Sequence, residues 1–154
     1  MKTIDLPEEE RKKIQDKWNS HISLKAMGVR LDLSDPDVLK CYIDSINEYH
    51  RGGMGTNAVN GAILSAIFDL TIGLVGFVNS DKHKTGTIQM NISFIKPLKG
   101  NKVIAEGKLL KKGKSLVFAR SEIFDENNEL CAYADGISSI DFNKPQIDNY
   151  MVIE

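Results

Sequence analysis

The chain has 154 residues, 42% hydrophobic and 27% charged, with 20 basic against 21 acidic side chains. That length fits one domain able to bury most of its unfolded surface, and a formal net charge of −1 gives no general attraction to nucleic acid or anionic lipid. The two cysteines, Cys41 and Cys131, stand far apart without Cys or His company, so they read as reduced, buried thiols rather than a disulfide or metal site.

The segment from Met1 to Asn19 is charged and lacks the apolar run of a secretory signal, which points to a cytoplasmic protein. Pro7 followed by Glu8, Glu9 and Glu10 opens a helix with a negative first turn, as the helix dipole favours. It is expected to end at about Trp18 or His21, with Ile14 and Trp18 on one face. Gly28 to Leu33 and Val38 to Ile46 roughly alternate apolar and polar residues around Ser34-Asp35-Pro36-Asp37, the pattern of two strands and a turn.

From Gly52 to Ser80 the only charged residue is Asp69. Gly52, Gly53 and Gly55 form a loop, Asn57 or Asn60 supplies a helix cap, and Gly61 to about Phe77 is apolar on every side, as in a helix surrounded by protein. A membrane span over Ala58 to Val78 is the rival, because that length gives a helix of ~30 Å. It would place Asp69 in mid-bilayer at a cost of ~2.5–3.5 kcal/mol, and the buried helix is preferred.

Period two follows: Thr87, Gln89, Asn91 and Ser93 alternate with Ile88, Met90, Ile92 and Phe94, and Pro97 and Gly100 end this strand. Lys102 to Leu110, Ser115 to Phe124 and Leu130 to Ile140 complete the strands, joined by turns of hairpin length at 111–114 and 125–129. The tail from Asp141 to Glu154 is polar until Tyr150-Met151-Val152-Ile153, and either packs on a neighbour or is loose. The order describes a single α+β domain over 1–154, an antiparallel sheet wrapped around one long buried helix, with an additional N-terminal helix within 1–21.

A carboxylate inside an otherwise apolar helix must be hydrogen-bonded, paired or neutral, so Asp69 is either a structural residue bonded to an amide or to Ser65, or a general base of raised pKa. Gly61 either permits tight packing or presents free N–H groups that stabilise an oxyanion. In one helix Gly61 and Asp69 lie ~12 Å apart, too far to serve one reaction centre. Two antiparallel copies about a two-fold axis would bring them together twice, which predicts a homodimer with shared sites.

The stretch Asn57-Ala58-Val59-Asn60-Gly61-Ala62-Ile63-Leu64-Ser65-Ala66-Ile67-Phe68-Asp69 resembles the loop-and-helix motif of the hotdog-fold acyl-CoA thioesterases of the phenylacetate-pathway (PaaI-like) group. That motif is His-Gly-Gly with an acid nine residues after the histidine; Asn60, Gly61, Ala62 and Asp69 occupy its places. Met90-Asn91-Ile92-Ser93-Phe94 with Pro97, and the turn Lys111-Lys112-Gly113-Lys114-Ser115-Leu116, resemble the family downstream, so the likeness runs from about Gly28 to Ile140.

The resemblance implies a hotdog fold and hydrolysis of an acyl-CoA thioester in a dimer interface, with coenzyme A as part of the substrate and no separate cofactor. It implies polarisation of the carbonyl by the Gly61 N–H, Asp69 of the other copy as base or nucleophile, Thr87 orienting water or carboxylate, and Asn60 in the histidine's place. Substrate contacts would come from Ala62, Asn91, Gly113, Lys114 and Ser115. Three departures stand out: Asn60 carries no proton near neutral pH as histidine does, Ala62 replaces the second glycine, and the asparagine often found six residues before the histidine is here Met54, with His50 nearby read as a solvated loop residue.

Lys96 to Lys114 holds seven lysines and one acid, Glu106, either a solvated strand edge or an attraction for coenzyme A phosphates near Gly113. Aromatics for nucleic-acid stacking are few there, and His21 and His83 are too isolated for metal binding. A non-hydrolytic acyl-CoA-binding protein is the alternative function, dehydration of a hydroxyacyl thioester ranks last for want of a histidine in register, and pairing of dimers into tetramers stays open.

Overall fold

Small residues let the long helix lie close on the sheet. A computed structural model of the chain describes residues 1–53 and 55–147; Met54 and the run at 150–153 lie outside them. The elements are α1 Glu8–Asn19, α2 Ile22–Met27, β1 Val29–Asp32, β2 Leu39–Ile43, α3 Gly61–Val78, β3 Lys84–Phe94, β4 Val103–Lys112, β5 Leu116–Phe124 and β6 Leu130–Asp141. The strands form one six-stranded sheet in the order β1-β2-β4-β5-β6-β3, every pairing antiparallel. This is the expected hotdog architecture.

A Cβ at Gly136 would meet Ile72 at 2.8 Å and the Gln89 carbonyl at 3.1 Å, and one at Gly76 would meet Ser138 at 2.6 Å. Gly107 lies against Val75 and Thr71. These glycines let Ile67, Phe68, Ile72 and Val75 of α3 bury fully against Val103, Ala105, Val117, Ala119, Ala132 and Ala134. Thr71, at the helix–sheet seam, donates to Ser121 Oγ at 2.8 Å and so leaves neither hydroxyl unpaired.

The two sheet edges are treated differently. Arg11, Gln15 and Asn19, four residues apart on α1, face β1. The Asn19 amide accepts from Leu31 N–H at 2.8 Å and donates to Leu31 C=O at 2.9 Å. Gln15 accepts from Leu33 N–H at 2.8 Å, and the Arg11 guanidinium donates to the carbonyls of Leu33 and Ser34. One helix face thus supplies the hydrogen bonds a further strand would make, and closes that edge. At the other edge β3 has no such cover among the described residues, and Ile88 and Phe94 are 59% and 55% exposed.

Four features differ from expectation. The six-residue α2 was not foreseen; His21 caps it by accepting from Ser23 N–H, and Gly28 ends it with φ 68. β2 stops at Ile43, with Ile46 held instead by Asn101, and β3 begins at Lys84 rather than Thr87. α3 is buried on the sheet side only, so it is not enclosed on every side within one chain. It is also the one described helix long and apolar enough to cross a membrane, but half of that stretch is buried inside the chain, as in a core helix. Gly136→Ala is expected to lower stability by about 1–3 kcal/mol through displacement of Ile72, read from the urea midpoint.

Candidate functional site

Where α3 begins, the loop before it is fixed on three sides. His50 is not the solvated histidine expected: it is 2% exposed, its Nδ1 accepting from Asn47 N–H at 3.0 Å and its Nε2 donating to Met27 C=O at 2.6 Å. Its ring ties the loop to the end of α2. The Arg51 guanidinium donates to the carbonyls of Asn57 and Gly100, Val59 N–H to Leu98 C=O and Asn60 N–H to His50 C=O.

Asn60 is the N-cap: its Oδ1 accepts from Ala62 N–H at 2.8 Å. Its backbone carbonyl accepts from Ile63 and Leu64 N–H at 3.0 and 3.2 Å. Every N–H of the first turn is therefore used except that of Gly61, which has no partner among the described residues. Gly61 is exposed beside the Phe94 ring, 3.5 Å from where a Cβ would stand. The arrangement is one open N–H at the positive end of an 18-residue helix, walled by an aromatic ring.

Two turns on, Asp69 is exposed, which corrects the expectation of a carboxylate buried by its own chain. Ser65, its suggested partner, donates to Gly61 C=O at 2.7 Å instead. Asp69 shares the uncovered helix face with Ala62 and Gly73, a face of small side chains. Thr87 lies against that face, with its Oγ1 3.3 Å from where a Gly73 Cβ would stand. Just after it, the β3–β6 register shifts between Thr87 and Gln89, and Ile88 projects into the open edge.

The remaining candidates lie elsewhere in a single chain. Asn91 is paired with Asp135, on the sheet face turned away from α3. Gly113, Lys114 and Ser115 form the β4–β5 turn, closed by Gly113 N–H donating to Leu116 C=O at 2.7 Å. Leu116 pairs with Ser139, beside the Ser138 that touches Gly76, so this turn is at the C-terminal end of α3 and Gly61 at the other. Lys114 is exposed, whereas Lys96 pairs with Asp125 and Glu129, Lys112 with Asp81, and Lys102 lies over the Tyr42 ring. No group of three His, Cys, Asp or Glu among the described residues is arranged to hold a metal.

Both cysteines are free and buried, and desolvation pushes the Cys41 thiol up to about 12, so neither offers a reactive thiolate to the site. Phe94 is the residue sequence reasoning passed over as a site member. Its place at the end of the alternating strand, level with the start of α3, was the signal available.

An open N–H at the start of a helix and an exposed carboxylate two turns along it are kinds of group that acyl-transfer chemistry uses. Residues 56–132 match the sequence model of the thioesterase superfamily, and the chain belongs to that family. It is 30% identical over 112 residues to a protein of Sulfurisphaera tokodaii named "Putative esterase", covering 72% of this chain and 80% of that one. Its fold matches the PaaI protein of the E. coli phenylacetic acid degradation operon with a TM-score of 0.70 at 17% identity, over 85% of this chain and 95% of that one. A thioesterase-superfamily-related protein of Shewanella oneidensis matches with a TM-score of 0.75 at 20% identity, over 86% and 96% of the two chains. The family and its esterase relative carry thioester or ester hydrolysis as the general chemistry, acting on a small molecule.

Asn60→Ala is expected to lower stability by about 1 kcal/mol through loss of the cap, read from the thermal midpoint. Asn60→Asp keeps an acceptor for Ala62 N–H and is expected to stay near wild type.

Proposed function

We propose that the protein hydrolyses an acyl-CoA thioester to the free acid and coenzyme A, at a site made by two copies of the chain. The observation that carries this is the unused Gly61 N–H at the start of the helix whose uncovered face holds Asp69. The two are eight residues apart, ~12 Å along the axis, so one chain does not bring both to a single carbonyl.

The unequal sheet edges support the pairing. With β1 closed by α1 and β3 open, a second copy adds by antiparallel pairing of β3 with its counterpart. Two α3 helices then lie antiparallel on the same side of a continuous sheet, and the small-residue face lets them approach. Asp69 of each copy moves toward Gly61 of the other, and the Gly113 turn of one toward the helix start of the other. Lys114 and Ser115 would then face the phosphates of coenzyme A.

In the reaction, water attacks the thioester carbonyl carbon while Asp69 accepts one of its protons. The negative charge that develops on the carbonyl oxygen is held by the Gly61 N–H and the helix dipole. As the carbon–sulfur bond breaks, the proton held by Asp69 passes to the departing thiolate, giving acid and thiol with the carboxylate restored. Thr87 orients the water or the carboxylate. Asn60 does no proton transfer in this scheme; as the cap it fixes the direction of the Gly61 N–H. Intact thiols at Cys41 and Cys131 suit a cytoplasmic setting.

Thiol release from a panel of acyl-CoA esters tests this. Asp69→Asn is expected to lower kcat by at least ~100-fold with the fold and ester binding retained. Gly61→Pro removes the N–H, and adds a ring whose Cβ would lie in ordinary contact with Phe94, at a first-turn position that tolerates proline, after a residue already extended at φ −60, ψ 134. It is expected to lower kcat by roughly 100–1,000-fold. Ester binding without thiol release by the wild type would replace hydrolysis with a binding role.

A further inference from the structure

The side-chain amide of Asn60 is held at its oxygen and open at its nitrogen. Its Oδ1 accepts from Ala62 N–H at 2.8 Å. A backbone N–H requires an acceptor there, so the amide has one orientation, oxygen on the helix and nitrogen turned from it. The backbone of the same residue is fixed by its own N–H, which donates to His50 C=O at 2.8 Å. Nδ2 has no partner among the described residues, although Asn60 is half-buried. A donor so placed is satisfied by solvent or by a bound acceptor.

The loop before α3 keeps that nitrogen clear. A Cβ at Gly52 would stand 2.9 Å from Nδ2, closer than ordinary contact, with Cβ and Cγ of Asn60 next at 3.7 and 3.8 Å. Gly52 is not among the glycines of positive φ, so its backbone does not call for glycine. Its N–H donates to Ala58 C=O at 3.2 Å, which holds it in place across the loop. What the missing side chain provides is room for the Asn60 amide.

Nδ2 and the unused Gly61 nitrogen are joined through Cγ, Cβ, Cα and C of one residue, and so lie no more than ~6 Å apart. Two donors that each stand ~3 Å from one oxygen are separated by no more than the same ~6 Å.

We propose that Asn60 is a catalytic residue, its Nδ2 donating to the thioester carbonyl oxygen beside the Gly61 N–H, with Gly52 as the positioning residue that leaves it room. This rests on the hydrolytic reading above and adds a second donor to it. Both hydrogen bonds strengthen as water attacks and the oxygen gains charge. Asn60 keeps its protons throughout, and the proton transfers through Asp69 are unchanged. One amide is thus cap at one end and oxyanion donor at the other.

Thiol-release kinetics on the ester that the wild type turns over best, beside thermal midpoints, test this. Asn60→Ser is neutral and caps as well as asparagine, but its hydroxyl ends short of the place of Nδ2. It is expected to keep the midpoint and KM while lowering kcat by roughly 100-fold. Asn60→Ser with Gly61→Pro is expected to fall at least ~10-fold below Gly61→Pro alone, whereas a residue that only aims the Gly61 N–H would add nothing there. Gly52→Ala is expected to lower kcat at least ~10-fold by displacing the amide, and to change nothing in an Asn60→Gly chain, which has no amide to displace. Wild-type kcat in Asn60→Ser, or no added loss in the Gly61→Pro chain, overturns the donor and leaves Gly61 and Asp69 standing. An equal loss from Gly52→Ala with and without the amide overturns the role of Gly52. A wild type that releases no thiol from any ester overturns the donor together with the hydrolytic reading.

Discussion

The seating of α3 on the sheet is the constraint from which the rest follows. At Gly76, Gly107 and Gly136 the two layers are separated by the thickness of a backbone, and any side chain there would displace Ile72, Val75 or Ser138. Close seating fixes the helix in rotation as well as in depth. Its large side chains must point down, which leaves Ala62 and Asp69 exposed. The same fixation sets an exposed Gly61 against Phe94. Packing and chemistry are two faces of one helix.

The second constraint is where the chain spends its polar side chains. Arg11, Gln15 and Asn19 are committed to the backbone of β1, although an exposed helix face needs no such residues. An edge closed in this way does not accept another strand, which leaves β3 as the open edge of the sheet. The loop before α3 is fixed by similar means: His50, Arg51 and the Asn60 cap hold it. A reactive N–H is useful only if its direction is fixed before substrate arrives.

Much of this was legible in the residues. Period-two alternation marked β3 to β6, and the long apolar run with Asn60 ahead of it marked α3 and its cap. The candidate pair Gly61 and Asp69 stood out because one glycine opens that run and one charge interrupts it. Other features were hidden for physical reasons. A helix apolar on every side reads as wholly buried, but sequence does not say whether its own chain does the burying, and Asp69 was misplaced on that account. His50 looked like a loop residue because its donor and acceptor partners, Asn47 and Met27, lie 3 and 23 positions away in sequence. The six-residue α2 escaped because histidine is an unusual cap.

The central claim is that one catalytic centre takes Gly61 from one copy and Asp69 from the other. Co-expression of differently tagged Asp69→Asn and Gly61→Pro chains, with purification of the mixed pairs, tests it most directly. A mixed pair holds one centre with both groups intact and one with neither. Thiol release at about half the wild-type rate per pair is the predicted result, from two parents that are each nearly inactive. Mixed pairs as inactive as their parents would contradict the account and return both groups to separate roles within a single chain.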